Sequence, residues 1–163
     1  MKHSLIQQAI VEEAGLLTCV EYLYHADIPN RIEAIKFSFQ QGNYFVIAKE
    51  DDSLKLTDKL PNKFLRTNSL IFQSNQRPWK WLIGSPVRWV WNMVNQQGYL
   101  DGLQFEFSEN VEKESLVIQL IAIASSIEVN LRVNLNQINP EWSSYVEKEG
   151  KTERIFAIST KAM

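Results

Sequence analysis

From Ile127 to Leu135 the chain alternates without a break: Ile127, Val129, Leu131, Val133 and Leu135 are apolar, and Glu128, Asn130, Arg132 and Asn134 are polar. A helix, with its period of 3.6, would smear that pattern round its axis. A strand, with a period of two, puts all the apolar side chains on one face. The polar side chains are then expected on a wet outer face. Leu100–Ser108 repeats the pattern with Leu103, Phe105 and Phe107, and Val87–Val94 with Val87, Trp89, Trp91 and Met93. Asn95-Gln96-Gln97-Gly98 between these two runs reads as a hairpin turn. Ser115–Ala124 is apolar on both faces, as a central strand flanked by others would be.

The first third fits the same architecture. Ser4-Leu5-Ile6-Gln7 reads as a capping box, and helical spacing through Leu5, Ile6, Ala9 and Ile10 to a stop at Gly15 predicts a helix over 5–14. Leu16–Tyr24 is a strand or an extension of that helix, with Val20, Tyr22 and Tyr24 favouring strand. Ile32–Gln40 and Tyr44–Ala48 flank Gln41-Gly42-Asn43 as a hairpin, and Ser53–Leu60 follows as a third strand. Residues 61–78 read as a long, mostly polar connector. Asn139-Pro140-Glu141 opens a short helix to Lys148, and Arg154–Ser159 reads as a last strand. The expected fold is α+β: one curled, mostly antiparallel sheet of about seven or eight strands, with the N-terminal helix on one face and a short helix near the C-terminus. With 163 residues the chain is expected to form a single domain over 1–163.

Charge is distributed unevenly. No acidic residue lies between Asp58 and Asp101, while Lys59, Lys63, Arg66, Arg77, Lys80 and Arg88 do, in a chain of net charge −2. Four of the five tryptophans share this basic stretch: Trp79, Trp81, Trp89 and Trp91. Cations interleaved with aromatics suit an anionic partner, because arginine forks onto carboxylate or phosphate and indoles stack. Trp89 and Trp91 share a strand face with Val87 and are expected in the core. Trp79 and Trp81, just after Pro78, stay open between core and surface. The candidate binding residues here are Arg77, Trp79, Lys80, Trp81 and Arg88. A second polar cluster sits at the hairpin tip, with Asn95, Gln97, Tyr99 and Asp101, either as a site or as turn chemistry.

Other chemistries have little support. Cys19 is the only cysteine, so no internal disulfide or paired-cysteine metal motif can form. It lies in an apolar run and is expected in the core. Glu50-Asp51-Asp52 with Asp58 matches no calcium loop, and His3 and His25 are not spaced as zinc ligands. Neither a nucleophile elbow nor a dinucleotide-binding glycine motif is present. No catalytic residue, metal or cofactor is therefore assigned. The N-terminus lacks the apolar region of a signal peptide, and the run Leu116–Ala124 is too short to span a bilayer. A cytoplasmic location without membrane attachment is expected.

Trp89-x-Trp91 followed by Asn95-Gln96-Gln97-Gly98-Tyr99-x-Asp101-Gly102-x-Gln104-x-Glu106-Phe107 resembles the signature of a small bacterial family of domains of unknown function. The likeness extends over about residues 30–135 and includes Phe37–Asp52 with its acidic turn. No activity is assigned to that family, so the resemblance implies a cytosolic bacterial accessory domain and names no catalytic residue. Analogy adds an immunity or adaptor role. The expected function is a non-catalytic binding or regulatory domain that meets an acidic protein through its basic, tryptophan-bearing middle. The alternatives are nucleic-acid binding by the same segment and an enzyme for a small anion at the 95–101 tip. A monomer or a symmetric homodimer is expected.

Overall fold

The computed structural model describes residues 2–64, 70–108 and 115–133. Among the described residues one α-helix, α1 (Lys2–Glu12), precedes nine strands. These are β1 (Leu17–Tyr24), β2 (Ile32–Phe39), β3 (Gly42–Ala48), β4 (Leu54–Thr57), β5 (Leu70–Phe72), β6 (Val87–Val94), β7 (Leu100–Phe107), β8 (Leu116–Ile123) and β9 (Ser126–Val133). Every pairing among the described strands is antiparallel. The strands form two sheets, not the single curled sheet that the alternation suggested. One has the order β4-β3-β2-β1-β5 and the other β6-β7-β8-β9. The period of a strand says which face is apolar but not which sheet it joins, and the split falls at the 73–86 crossover. The helix expected after Pro140 and the strand expected at Arg154 lie outside the described residues.

The two sheets share one core. Phe37 on β2 meets Phe105 on β7, ring centroids 5.4 Å apart. Ile35, Phe39, Leu103, Phe107, Ile118 and Leu131 are buried with them. Residues alternating inward on each strand supply this layer, as the sequence pattern requires. Helix α1 adds Ile10 to the same core, Ala14 just after it adds another buried side chain, and the helix lies against β4 and β6. It begins at Lys2, before the expected Ser4 cap, and ends at Glu12, short of the expected residue 14 and three residues before Gly15, which takes φ +80°. A side chain there would also collide with Gln40, because a Cβ on Gly15 would lie 2.7 Å from Gln40 Oε1. A smaller cluster of Leu23, Ala34, Phe45, Ile47 and Phe64 covers part of the back of the five-stranded sheet. Cys19 is half-buried on β1, not in the core, because an extra residue at Thr18 shifts the register there. Strand β4 covers only part of the expected Ser53–Leu60 run.

The 73–86 crossover is tied to β1 at both ends. Gln73 donates its N–H to Val20 O (2.8 Å), and Val20 donates its own to Ser74 Oγ (3.0 Å). Further on, Leu17 donates to Ser85 O and Gly84 to Leu17 O. The 61–78 stretch is thus not a plain connector: it holds a 3-10 turn at Asn62–Phe64, which buries Phe64, and strand β5. Among the described residues, no helix is long and apolar enough to cross a membrane.

Candidate functional site

Trp79 is fully buried. It begins the 3-10 turn Trp79–Trp81, follows a cis Arg77–Pro78 bond, and sets its ring edge-on to Phe37 at 5.4 Å. Its indole N–H is donated to the hydroxyl of Tyr22. The turn thereby takes one indole into the core and leaves its neighbours outside. Lys80 and Arg77 are exposed, and Trp81 is half-buried. Both cations lie over the Trp81 ring, Lys80 Nζ at 5.2 Å and the Arg77 guanidinium at 6.0 Å from its centroid. Cation–π attraction orients them. Of the basic-segment candidates, the structure brings Arg77, Lys80 and Trp81 together and withdraws Trp79.

Trp89 and Trp91 reverse their expected placement. They are 49% and 45% exposed, with ring centroids 6.4 Å apart. Val87 pairs with Phe107, but Trp89 pairs with Glu106, so Arg88 is an extra residue in β6. That bulge flips the strand's facing. Val87 stays in the core, Val90 takes over the inward position, and Trp89 and Trp91 turn to the outer face. Arg88 is half-buried at the bulge.

The hairpin tip is organised by Asn95. Its Oδ1 accepts the N–H groups of Gln97 (2.9 Å) and Tyr99 (3.1 Å), and its own N–H is donated to Tyr99 O. Gly98 adopts φ +87° there, which suits glycine. Asp101 is the extra residue of a second bulge, between Met93↔Gly102 and Val94↔Leu100. Tyr99 is half exposed and Gln97 exposed. Asn95 thus makes turn bonds, and the tip is held by them.

On the outer face of β9, Asn130 and Arg132 are 0% and 1% exposed, against the expectation of a wet face. Their burial is compensated by hydrogen bonds. Arg132 donates to Gln119 Oε1 on β8 (3.2 Å) and to Leu131 O (3.1 Å), and Asn130 donates to Glu128 Oε1 (2.8 Å). Asn134 lies outside the described residues.

A further site gave no sequence motif. Three hairpin turns, at 25–31, 49–53 and 124–125, lock together. Ser125 N–H is donated to Asp52 Oδ1 (2.6 Å), Arg31 Nε–H to Ser125 O (3.3 Å), and Ile32 N–H to Ser126 Oγ (3.1 Å). Asn30, Asp52, Ala124 and Ser125 all hold positive φ, an uncommon conformation for residues other than glycine. Asp51 accepts from the hydroxyl and the N–H of Ser53, and these bonds, with Lys49 nearby, hold its carboxyl below the usual range. Glu50-Asp51-Asp52 thus includes two carboxylates committed to turn bonds. Among the described residues, no three His, Cys, Asp or Glu side chains converge to hold a metal.

Beside these turns opens a cleft of about 830 Å3, reaching to Lys63 and Phe64. On its wall His25 Nδ1 accepts the N–H groups of Asp27 and Ile28, both at 3.0 Å. The proton of the neutral ring therefore sits on Nε2, which faces Glu33 Oε1 at 3.7 Å. Glu33 is the extra residue of a β2 bulge, between Leu23↔Ala34 and Tyr24↔Ile32. Bulges re-aim side chains in this way. In the sequence the site was signalled by His25 and the acidic Glu50-Asp51-Asp52 run, and neither has a spacing that announces a pocket.

Over residues 1–136 the chain matches the model of a family of unknown function, DUF6334, and it belongs to that family. No curated protein and no solved structure matches it.

Proposed function

We propose that this DUF6334 protein is a non-catalytic binding domain that takes an acidic protein segment on the surface around Trp81. The observation that carries this reading is the placement of Arg77 and Lys80 over one indole. A guanidinium or ammonium held on a ring face is already oriented, so less freedom is lost when a carboxylate arrives. The stretch 59–100 itself contains no carboxylate. The half-exposed Trp89 and Trp91 add apolar area on β6, of the kind interfaces favour. The acidic flanks of the sequence would repel a long polyanion, which favours a protein partner over a nucleic acid.

The test is a tryptophan-fluorescence titration with a glutamate-rich peptide and, in parallel, a single-stranded oligothymidine. The expected result is a response to the peptide that disappears in Trp81→Phe and in Arg77→Ala/Lys80→Ala. Salt should slow association more than it speeds dissociation. A stronger response to the oligonucleotide would select the nucleic-acid alternative. Silence with both would refute the surface as an anion-binding site.

A further inference from the structure

The cleft beside the three locked turns, remote in sequence from the Trp81 surface, has an arrangement of charge that calls for its own ligand. Three cations border it, Arg31, Lys49 and Lys63, and so do the carboxylates of Asp27, Glu33, Glu50 and Asp51, the last already held by Ser53 and near Lys49. Counting His25, eight ionisable side chains of both signs line it. His25 Nε2 faces Glu33 Oε1 at 3.7 Å. Arg31 directs its Nε–H to Ser125 O, Lys63 lies over the ring of Phe64 at 5.0 Å, and neither meets a described carboxylate at ion-pair distance. Buried Ile47 and Phe64 supply an apolar part of the lining.

A cleft of this volume lies within the range of small-molecule sites. A purely anionic ligand would meet the carboxylates of Asp27, Glu33, Glu50 and Asp51, and a purely cationic one the three bases. We infer that the cleft binds a small zwitterion with an apolar side chain, of the amino-acid class. Its carboxylate is taken by the cations, its ammonium by the acids, and its side chain by Ile47 and Phe64. The walls are preorganised. Turns 49–53 and 124–125 are joined through Ser125–Asp52, turns 25–31 and 124–125 through Arg31–Ser125, and the Glu33 bulge points a carboxylate at His25. Preorganisation lowers the ordering cost of binding.

The experiment uses the full chain and three probes of matched shape: L-leucine, 4-methylpentanoate and 3-methylbutylamine. Binding is read by two-dimensional amide NMR, following the N–H signals of Asp27, Ile32 and Ser125. L-leucine is expected to shift these signals with a Kd of about 1 mM or tighter, and each single-charge probe to bind at least about tenfold more weakly. Lys63→Ala and Asp27→Asn, whose altered side chains make no described hydrogen bond, should each weaken L-leucine binding about tenfold while the rest of the spectrum stays unchanged. Equal binding of a single-charge probe would overturn the inference. So would unmoved signals with every probe, or full L-leucine binding in both variants. The Trp81 titration is independent of these outcomes, so either site can fail alone.

Discussion

The indole N–H of Trp79 is donated to the hydroxyl of Tyr22, joining the 73–86 crossover to the middle of β1 inside the core shared by both sheets. Tyr22→Phe removes the acceptor and leaves a buried N–H without it. An unsatisfied buried donor costs about 1–3 kcal/mol, and urea unfolding of Tyr22→Phe should show a loss of that size. A variant as stable as the parent would mean that the bond contributes nothing.

The tryptophans should separate by burial. Trp79→Ala empties a fully buried site, and such truncations cost about 3–5 kcal/mol. The double change Trp89→Ser/Trp91→Ser acts on half-exposed rings and should cost under about 1 kcal/mol. Equal losses in chemical denaturation would contradict the outward facing that the Arg88 bulge imposes.

Leu131 tests the register of β9. It is buried opposite Ile118, and Leu131→Ala should destabilise by about 2–5 kcal/mol. A loss under about 0.5 kcal/mol, the scale of a surface change, would remove this register.

Ser125 and Ala124 form the two-residue turn between β8 and β9, both with positive φ, where asparagine and glycine are the favoured pair. Ser125→Gly keeps the N–H that Asp52 accepts and relieves a conformation that costs an L-residue about 1–2 kcal/mol. The flexibility of glycine in the unfolded chain offsets part of this gain. Thermal unfolding should show a net stabilisation of up to about 1 kcal/mol, and Asp52→Ala a loss of about 0.5–1.5 kcal/mol. Destabilisation by Ser125→Gly would show that the lost hydroxyl outweighs the relieved strain.

Tyr44 should make the fold sensitive to alkali. Burial first, then the charges of Glu13 and Asp58, raise its phenol above the ordinary value of 10.0. The folded state therefore favours the neutral form. The stabilisation is complete below the unfolded pKa and is lost as pH rises through the folded one. Tyr44→Phe should flatten this part of the pH–stability curve, and Glu13→Gln should lower the phenol's midpoint in a spectrophotometric titration. A midpoint unchanged by Glu13→Gln would exclude the Glu13 contribution.

Alternation alone was enough to place most strands, because a period of two is a local property that tertiary packing preserves. Leu103, Phe105 and Phe107 point inward as their spacing requires, and Ser115–Ala124, apolar on both faces, supplies the flanked strand β8. The acid-free stretch was equally plain, since charge is read residue by residue. Only the tertiary structure decided which indoles are accessible. One extra residue at Arg88 reverses every facing after it, and a bulge leaves no periodic signature in a strand of eight residues. Nor could local spacing show that Arg132 is buried against Gln119, or that β1–β5 and β6–β9 form separate sheets. The cleft lay furthest from the sequence: its walls come from turns up to about a hundred residues apart, brought together by hydrogen bonds between single side chains and the backbone of a distant turn, which no local spacing encodes.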